Sequence, residues 1–368
     1  MSTIKLVAVG DIFLGEHPYT LGHGVTSSCR RNGYDFVFEK LKPYTQSGDI
    51  VCGNLEGIIA ECTDLERGIG SLIFRGDPEC AAAMNAAGFN CLFLANNHTA
   101  QHGVDALDRT CRLLDESEIK WTGYSAGNPG SCSPVIFDEH GVRVGLLAYC
   151  DAQQYHLDQR ILPLIDLHHI RDDLSQLKGR CDVMVVSLHW GEEFIDYPSP
   201  AQTVIAHEII DAGAKLILGH HSHSMQGIEH YNGGVIFYSL GTFVKDLWRK
   251  ELRESVVLMC EISREGVVGY QLVPIYINDS FQPEESSGPA RAAFLERMDS
   301  LSKKLKLNLL VPRDEMQARY CYDASLLARR DKMDVLKYYL KNIFRYDKKL
   351  LLENVTLIIK RRLRRKNL

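Results

Sequence analysis

"KLILGHHSHSMQ", Lys215–Gln226, sets a short apolar run ahead of three histidines packed into four positions. Leu216–Leu218 reads as a buried strand, and imidazoles left without partners at its end are costly to bury. His-x-His after a strand places alternate side chains on one face, a chelating arrangement, although such clusters also arise as surface coincidence. The reading of His220, His221 and His223 therefore turns on whether other strands of the chain end in the same way.

They do. Apolar runs rich in Val, Ile and Leu recur at Ile4–Val9, Ile50–Cys52, Cys91–Ala95, Val142–Tyr149, Val183–Leu188, Leu216–Leu218, Val235–Ser239, Ser255–Ile262 and Val267–Ile277. Many are separated by segments of helical periodicity, the pattern of an α/β protein with buried strands. Pro78–Ala87, Gly103–Ser117 and Pro200–Ala212 read as helices, the last opening on proline and closing near Gly213. The final three runs leave no room for helices between them, which predicts antiparallel strands and hence a mixed sheet or a two-sheet sandwich.

Polar, metal-capable residues follow one strand after another: Gly10-Asp11, "GNLEG" with Asn54 and Glu56, "ANNH" with Asn96, Asn97 and His98, "LHWGEE" with His189, Glu192 and Glu193, then "GHHSH". Ligands of open α/β sheets bind outside the carboxyl ends of the strands, so these segments are predicted to converge on one site. Singly each has a plainer reading. Asp11 suits a strand-to-turn step, Asn96 and Asn97 suit Asx turns, and His98 and His189 suit satisfied buried histidines. Jointly, carboxylate, carboxamide and imidazole without thiolate suit a binuclear site for two divalent ions, Mn, Fe or Zn, rather than a structural cysteine-rich zinc site. Two such metals activate a water and stabilise an in-line displacement at phosphorus.

Composition sets the outer bounds. The 368 residues, 45% hydrophobic and 24% charged, suffice for one large globular domain with or without an appendage. A net charge of −5, without basic bias ahead of the C-terminal tail, leaves no footprint for nucleic acid. The 11 cysteines are odd in number, scattered and without a CxxC pair, so they read as reduced, mostly buried thiols. "MSTIKLVAVGD" lacks the features of a signal peptide and no apolar run reaches bilayer length, so the expected compartment is the cytoplasm. "NDSFQPEESSGPA", Asn278–Ala290, reads as a linker, dividing the chain into a domain at 1–278, a linker at 279–290 and a helical, basic extension at 291–368. Its terminal "KRRLRRK", Lys360–Lys366, reads either as a solvated helix end or as a weak peripheral contact with an anionic inner-membrane surface.

The ordered motifs "GDIFLG", "GNLEG", "FRGDP", "LANNHTAQHG", "SLHWGEE", "LGHHSHSMQGIE" and "YSLGTFV" resemble those of the CapA family (poly-gamma-glutamate capsule synthesis protein CapA), a branch of the calcineurin-like metallophosphatase superfamily. The resemblance spans residues 4 to about 250 and leaves out the tail. It implies a four-layer metallophosphatase-like sandwich of mixed sheets flanked by helices, and a two-metal site. By analogy Asp11 is the first carboxylate ligand, and Asn54 with Glu56 stand where the superfamily places its bridging aspartate motif. Asn97, His189, His221 and His223 are further ligands, and His98 protonates the leaving group. Arg75, with its forked donor geometry, is expected to bind an anionic substrate, or else to form a surface salt bridge. Departures are visible: no His stands two residues after Asp11, and Ser222, Thr242 and Gln101 replace residues usual in the family.

Three functional readings follow. The leading one is a metal-dependent hydrolase, phosphoesterase-like, acting on an anionic small molecule or polymer. The alternative is a capsule or poly-gamma-glutamate biosynthesis accessory or binding protein without general phosphatase activity. The third makes the helical tail an interaction module. Trp190, Glu192, Glu193, Tyr197 and Tyr124 are candidates to line the pocket.

Overall fold

The computed structural model describes residues 2–61, 69–128, 130–151, 161–346 and 352–353. Thr3–Ile12 is buried along most of its length and is central to the first sheet. Ile50–Leu55, Cys91–Phe93 and Lys120–Thr122 follow it in parallel on one side; Glu254–Ser263, Gly266–Ile277 and Pro283–Glu285 follow in antiparallel order on the other. Thr242–Val244 pairs in parallel with the far end of Thr3–Ile12, matching Asp11 with Thr242. The second sheet runs Ile228–Tyr231, Gly234–Phe237, Leu216–His220, Val183–His189, Val142–Cys150, Val135–Glu139, parallel except at its two edges.

The alternation of side chains along a strand assembles the layers. Val144, Leu146, Val185, Leu216 and Leu218 point from the second sheet into a core shared with Leu6, Ala8 and Leu92 of the first. Their neighbours Leu147, Tyr149, Val186 and Ile217 point outward onto Ile170 and Leu174 of helix Leu167–Leu177 and Ala206 and Ile209 of helix Pro200–Asp211. Helices Val25–Asn32, Glu79–Ala86 and Val104–Glu116 bring Cys29, Met84, Leu107 and Leu114 to the first sheet. The result is helix, sheet, sheet, helix, the four-layer sandwich expected. Pro200–Asp211 starts as its sequence demands, with proline in the first turn and a capping box between Ser199 and Gln202.

All nine apolar runs lie in strands, with three differences from expectation. Gly234–Phe237 runs parallel to Leu216–His220, because the added strand Ile228–Tyr231 turns the chain before it. The short strands Lys120–Thr122, Val135–Glu139 and Thr242–Val244 carry too few residues to announce a period. Within 279–290, Pro283–Glu285 is hydrogen-bonded into the first sheet, and the next helix begins at Gly288.

That helix, Gly288–Asn308, buries Phe294, Met298 and Leu301 in the main core. Helix Arg313–Asn342 crosses the carboxyl-end side of the sheets, tied by polar contacts. The Glu192 backbone N–H donates to Tyr320 Oη at 2.9 Å, Trp248 Nε1 to Asp331 at 3.2 Å, and Tyr339 Oη to the Pro18 carbonyl at 3.1 Å. Lys360–Lys366 lies outside the described residues. Among the described residues no helix is long and apolar enough to cross a membrane.

Candidate metal centre

The carboxyl ends of both sheets meet where the sequence placed them. Thr3–Ile12 changes register beyond Ala8, and this irregularity aims Asp11, fully buried, at the second sheet. One Asp11 oxygen accepts from Asn54 Nδ2 at 2.7 Å; the other accepts from the His221 backbone N–H at 3.2 Å and faces His223 Nδ1 at 3.0 Å. His220 Nδ1 stands 3.5 Å from the first oxygen. Burial alone would push the Asp11 carboxyl up, but the His220 and His223 imidazoles that face it hold it well below its usual range. Asp11 thus fixes the histidine turn as an anion. That turn is strained: His221 and His223 have φ of 87° and 54°, in the left-handed region that non-glycine residues seldom enter.

Two groups of donors result. In the first, His189 Nε2 lies 3.0 Å from Asn97 Oδ1 and 3.1 Å from His221 Nδ1. Two ligands of a tetrahedral ion with bonds of about 2.0–2.1 Å are about 3.3 Å apart, and both of these separations suit ligands of one divalent metal. Both imidazoles are held neutral, as ligands must be: burial pushes His189 down to about 3 and His221 well below its ordinary value, in the latter case with help from the neighbouring histidines. In the second group, ligand atoms of Asp11, Glu56 and His223 lie within 4.8 Å of one another. Here Lys245 intervenes, its Nζ donating to both Glu56 oxygens at 3.0 and 2.9 Å and to His223 Nε2 at 2.8 Å. Burial would raise the Glu56 carboxyl, yet the Lys245 ammonium holds it well below the carboxylate range.

The other expected residues are placed as follows. Asn54 is a clamp: its Nδ2 serves Asp11 and stands 3.1 Å from His189 Nδ1, while its Oδ1 accepts from Asn96 at 3.2 Å. Such outer contacts orient a ligating imidazole. Asn96 builds the turn that presents Asn97, accepting from the backbone N–H groups of His98 and Thr99 at 3.1 Å. His98 stacks on Phe74 with ring centroids 4.0 Å apart, meets Gln101 Oε1 at 3.0 Å through Nδ1, and turns Nε2 to Glu56 at 3.7 Å. Asn97, His98, His221, His223 and Lys245 open onto one cavity of about 590 Å3, closed on the far side by Ala324, Ala328, Asp331 and Lys332 of helix Arg313–Asn342.

Arg75 is not brought to this cavity. It lines a neighbouring one of about 550 Å3 with Glu16, Tyr34 and Asp77, and its Nη1 donates to the Glu61 carbonyl at 3.2 Å. Glu192 and Glu193 do line the metal-centre cavity. Trp190 is core, donating to the Tyr238 carbonyl at 3.1 Å; Tyr124 donates to Asp108 and Tyr197 to Asp323. Sequence reasoning missed Lys245 and Phe74. Lys245 follows Thr242–Val244 directly, the same strand-end position that marks the other site residues.

A two-sheet α/β sandwich that gathers carboxylate, carboxamide and imidazole groups at its strand ends carries a candidate metal site. The match to the bacterial capsule synthesis protein family (PGA_cap) covers residues 5–247, and the chain belongs to that family. It is 30% identical over 286 residues to the capsule biosynthesis protein CapA of Bacillus anthracis, covering 75% of this chain and 68% of that protein. Against the PGA biosynthesis protein CapA of Bacillus subtilis it is 27% identical over 278 residues, covering 74% and 71%. Among solved structures, a putative 5'-nucleotidase from Staphylococcus aureus, crystallised with alpha-ketoglutarate, aligns at 14% identity over 81% of this chain and 58% of its own, with a TM-score of 0.49.

Proposed function

We propose that the chain is a metal-dependent hydrolase, phosphoesterase-like, working on an anionic small molecule or polymer in the cytoplasm. The observation that carries this reading is the pair of donors, Asn97 and His221, that meet His189 Nε2 and line, with His98 and Lys245, one cavity. The donors suit Mn, Fe or Zn, and such an ion supplies Lewis-acid polarisation of the scissile group and an activated water. The protein's own part is positional. Asp11 and Asn54 hold the histidine turn and the His189 ring. His98, stacked on Phe74 and held by Gln101 at Nδ1, turns Nε2 toward Glu56 and the cavity, where it would give a proton to a leaving oxygen. Lys245 offers a fixed positive charge to an anionic substrate.

Family membership supports a second reading, in which the chain serves capsule or poly-gamma-glutamate assembly as a binding component without general phosphatase activity. Elemental analysis of wild type and His221→Ala, with Mn-dependent hydrolysis of bis-p-nitrophenyl phosphate, separates the two. Metal lost in the variant together with turnover in the wild type supports the hydrolase. Metal without turnover on any phosphoester tested supports the assembly role, and a metal-free wild type refutes the metal centre.

A further inference from the structure

The Asp11–Glu56–His223 cluster has the spacing of a metal site, and a side-chain ammonium already occupies its Glu56–His223 side. Lys245 is 4% exposed, and its Nζ sits 2.8–3.0 Å from His223 Nε2 and both Glu56 oxygens. His223 meets Lys245 Nζ through Nε2 and Asp11 Oδ2 through Nδ1, at 3.0 Å, so both of its ring nitrogens are already engaged. A divalent ion held by the same atoms would stand about 2.0–2.2 Å from each, inside the volume of the ammonium. Among the described residues the metal-capable group here stops at Asp11, Glu56 and His223. The residue two positions after Asp11 is Phe13, and Lys245 Nζ lies over its ring at 5.2 Å from the centroid. An aromatic face attracts a cation but coordinates no transition metal.

We infer that the Lys245 ammonium is the resident cation of the Asp11–Glu56–His223 cluster, so that the centre takes one divalent ion, at Asn97–His189–His221, in place of two. The second ion does not fit this chain as it stands. The lysine supplies a cationic group that is covalently part of the chain, so a chelator cannot remove it and no other metal can exchange for it, and it lines the same cavity. Where a second metal would be, substrate meets an ammonium whose three N–H groups are already turned to Glu56 and His223.

The count of one ion rests on the metal reading above; the assignment of Lys245 does not, and one experiment separates them. The full-length chain and the variants Lys245→Met, Lys245→Gln and Lys245→Arg are equilibrated with excess Mn2+ or Zn2+, passed through a desalting column and assayed for metal per chain, with folding followed by circular dichroism. The expected result is one ion more per chain in the neutral variants than in wild type, and no gain in Lys245→Arg, which keeps the charge. A wild type that already holds two ions overturns the inference, as does a folded neutral variant that gains none. A wild type with no metal whose neutral variants gain one refutes the metal reading while supporting the role of Lys245. Two neutral side chains are included so that misfolding of one leaves the outcome readable.

Discussion

Replacing Glu56 by glutamine removes the charge that compensates a lysine buried with it, and the size of the effect follows from where the pair sits. Glu56 is 1% exposed and Lys245 4%, and Nζ contacts both carboxylate oxygens. Removing one partner of a buried ion pair costs about 3–5 kcal/mol, because the remaining charge stays in a poorly solvating interior. An unfolding entropy of about 2.1 cal/mol/K per residue, over the 368 residues of the chain, converts this into a fall in Tm of about 4–6 °C. The assay is thermal unfolding by calorimetry in EDTA, so that metal loading plays no part. Replacing both residues, as Glu56→Gln with Lys245→Met, should recover most of the loss, since no uncompensated charge is left. The pH dependence has a definite sign. Glu56 titrates lower in the folded chain than its ordinary 4.5, so its contribution is fully present above that value and is lost as pH falls toward the folded pKa. The gap between wild type and Glu56→Gln should therefore shrink below about pH 4.5. A Tm change under about 1.5 °C, or a gap that does not narrow in acid, would show that the pair is not the buried, charged contact described.

Three further outcomes follow from other parts of the molecule. His98→Ala should lower turnover by about 100-fold or more with metal content intact, the mark of a proton donor rather than a ligand, and loss of metal in that variant would disprove the role. Gly219→Ala should destabilise by at least about 1–3 kcal/mol, since its Cβ would meet the Tyr238 carbonyl oxygen at 1.9 Å, and a normal urea midpoint would refute that close backbone approach. Among the described cysteines only Cys321 is exposed, and burial pushes thiols such as Cys29 and Cys91 up to about 12, so native protein should react rapidly with a thiol reagent at Cys321 and release the buried set only on unfolding.

Much of this architecture was legible in the chain because a buried strand must be apolar and a residue just beyond its carboxyl end need not be. That single rule located Asp11, Asn54, Asn97, His189 and the histidine turn before any pairing was known. It passed over Lys245 because Thr242–Val244 is too short to register as a strand, although the lysine obeys the same rule. Whether Asn54 is a ligand or a clamp depends on the direction of one amide across 2.7 Å, which residue identity does not encode. Arg75 illustrates a related gap: it follows Phe74 immediately, yet Phe74, with φ of 59°, stacks on His98 while Arg75 lines the cavity next door.

Helix Arg313–Asn342 gives the cavity its outer wall, and its place in chain order sets a sequence of events at the ribosome. The first sheet is complete once Glu285 has emerged, and with it every donor around His189 and Glu56. The wall residues Ala324–Lys332 are translated later, by an interval on the order of a few seconds at about 5–20 residues per second. During that interval the cluster lacks its outer wall, so a metal centre of the kind proposed would load from open solvent before Ala324, Ala328, Asp331 and Lys332 dock over it.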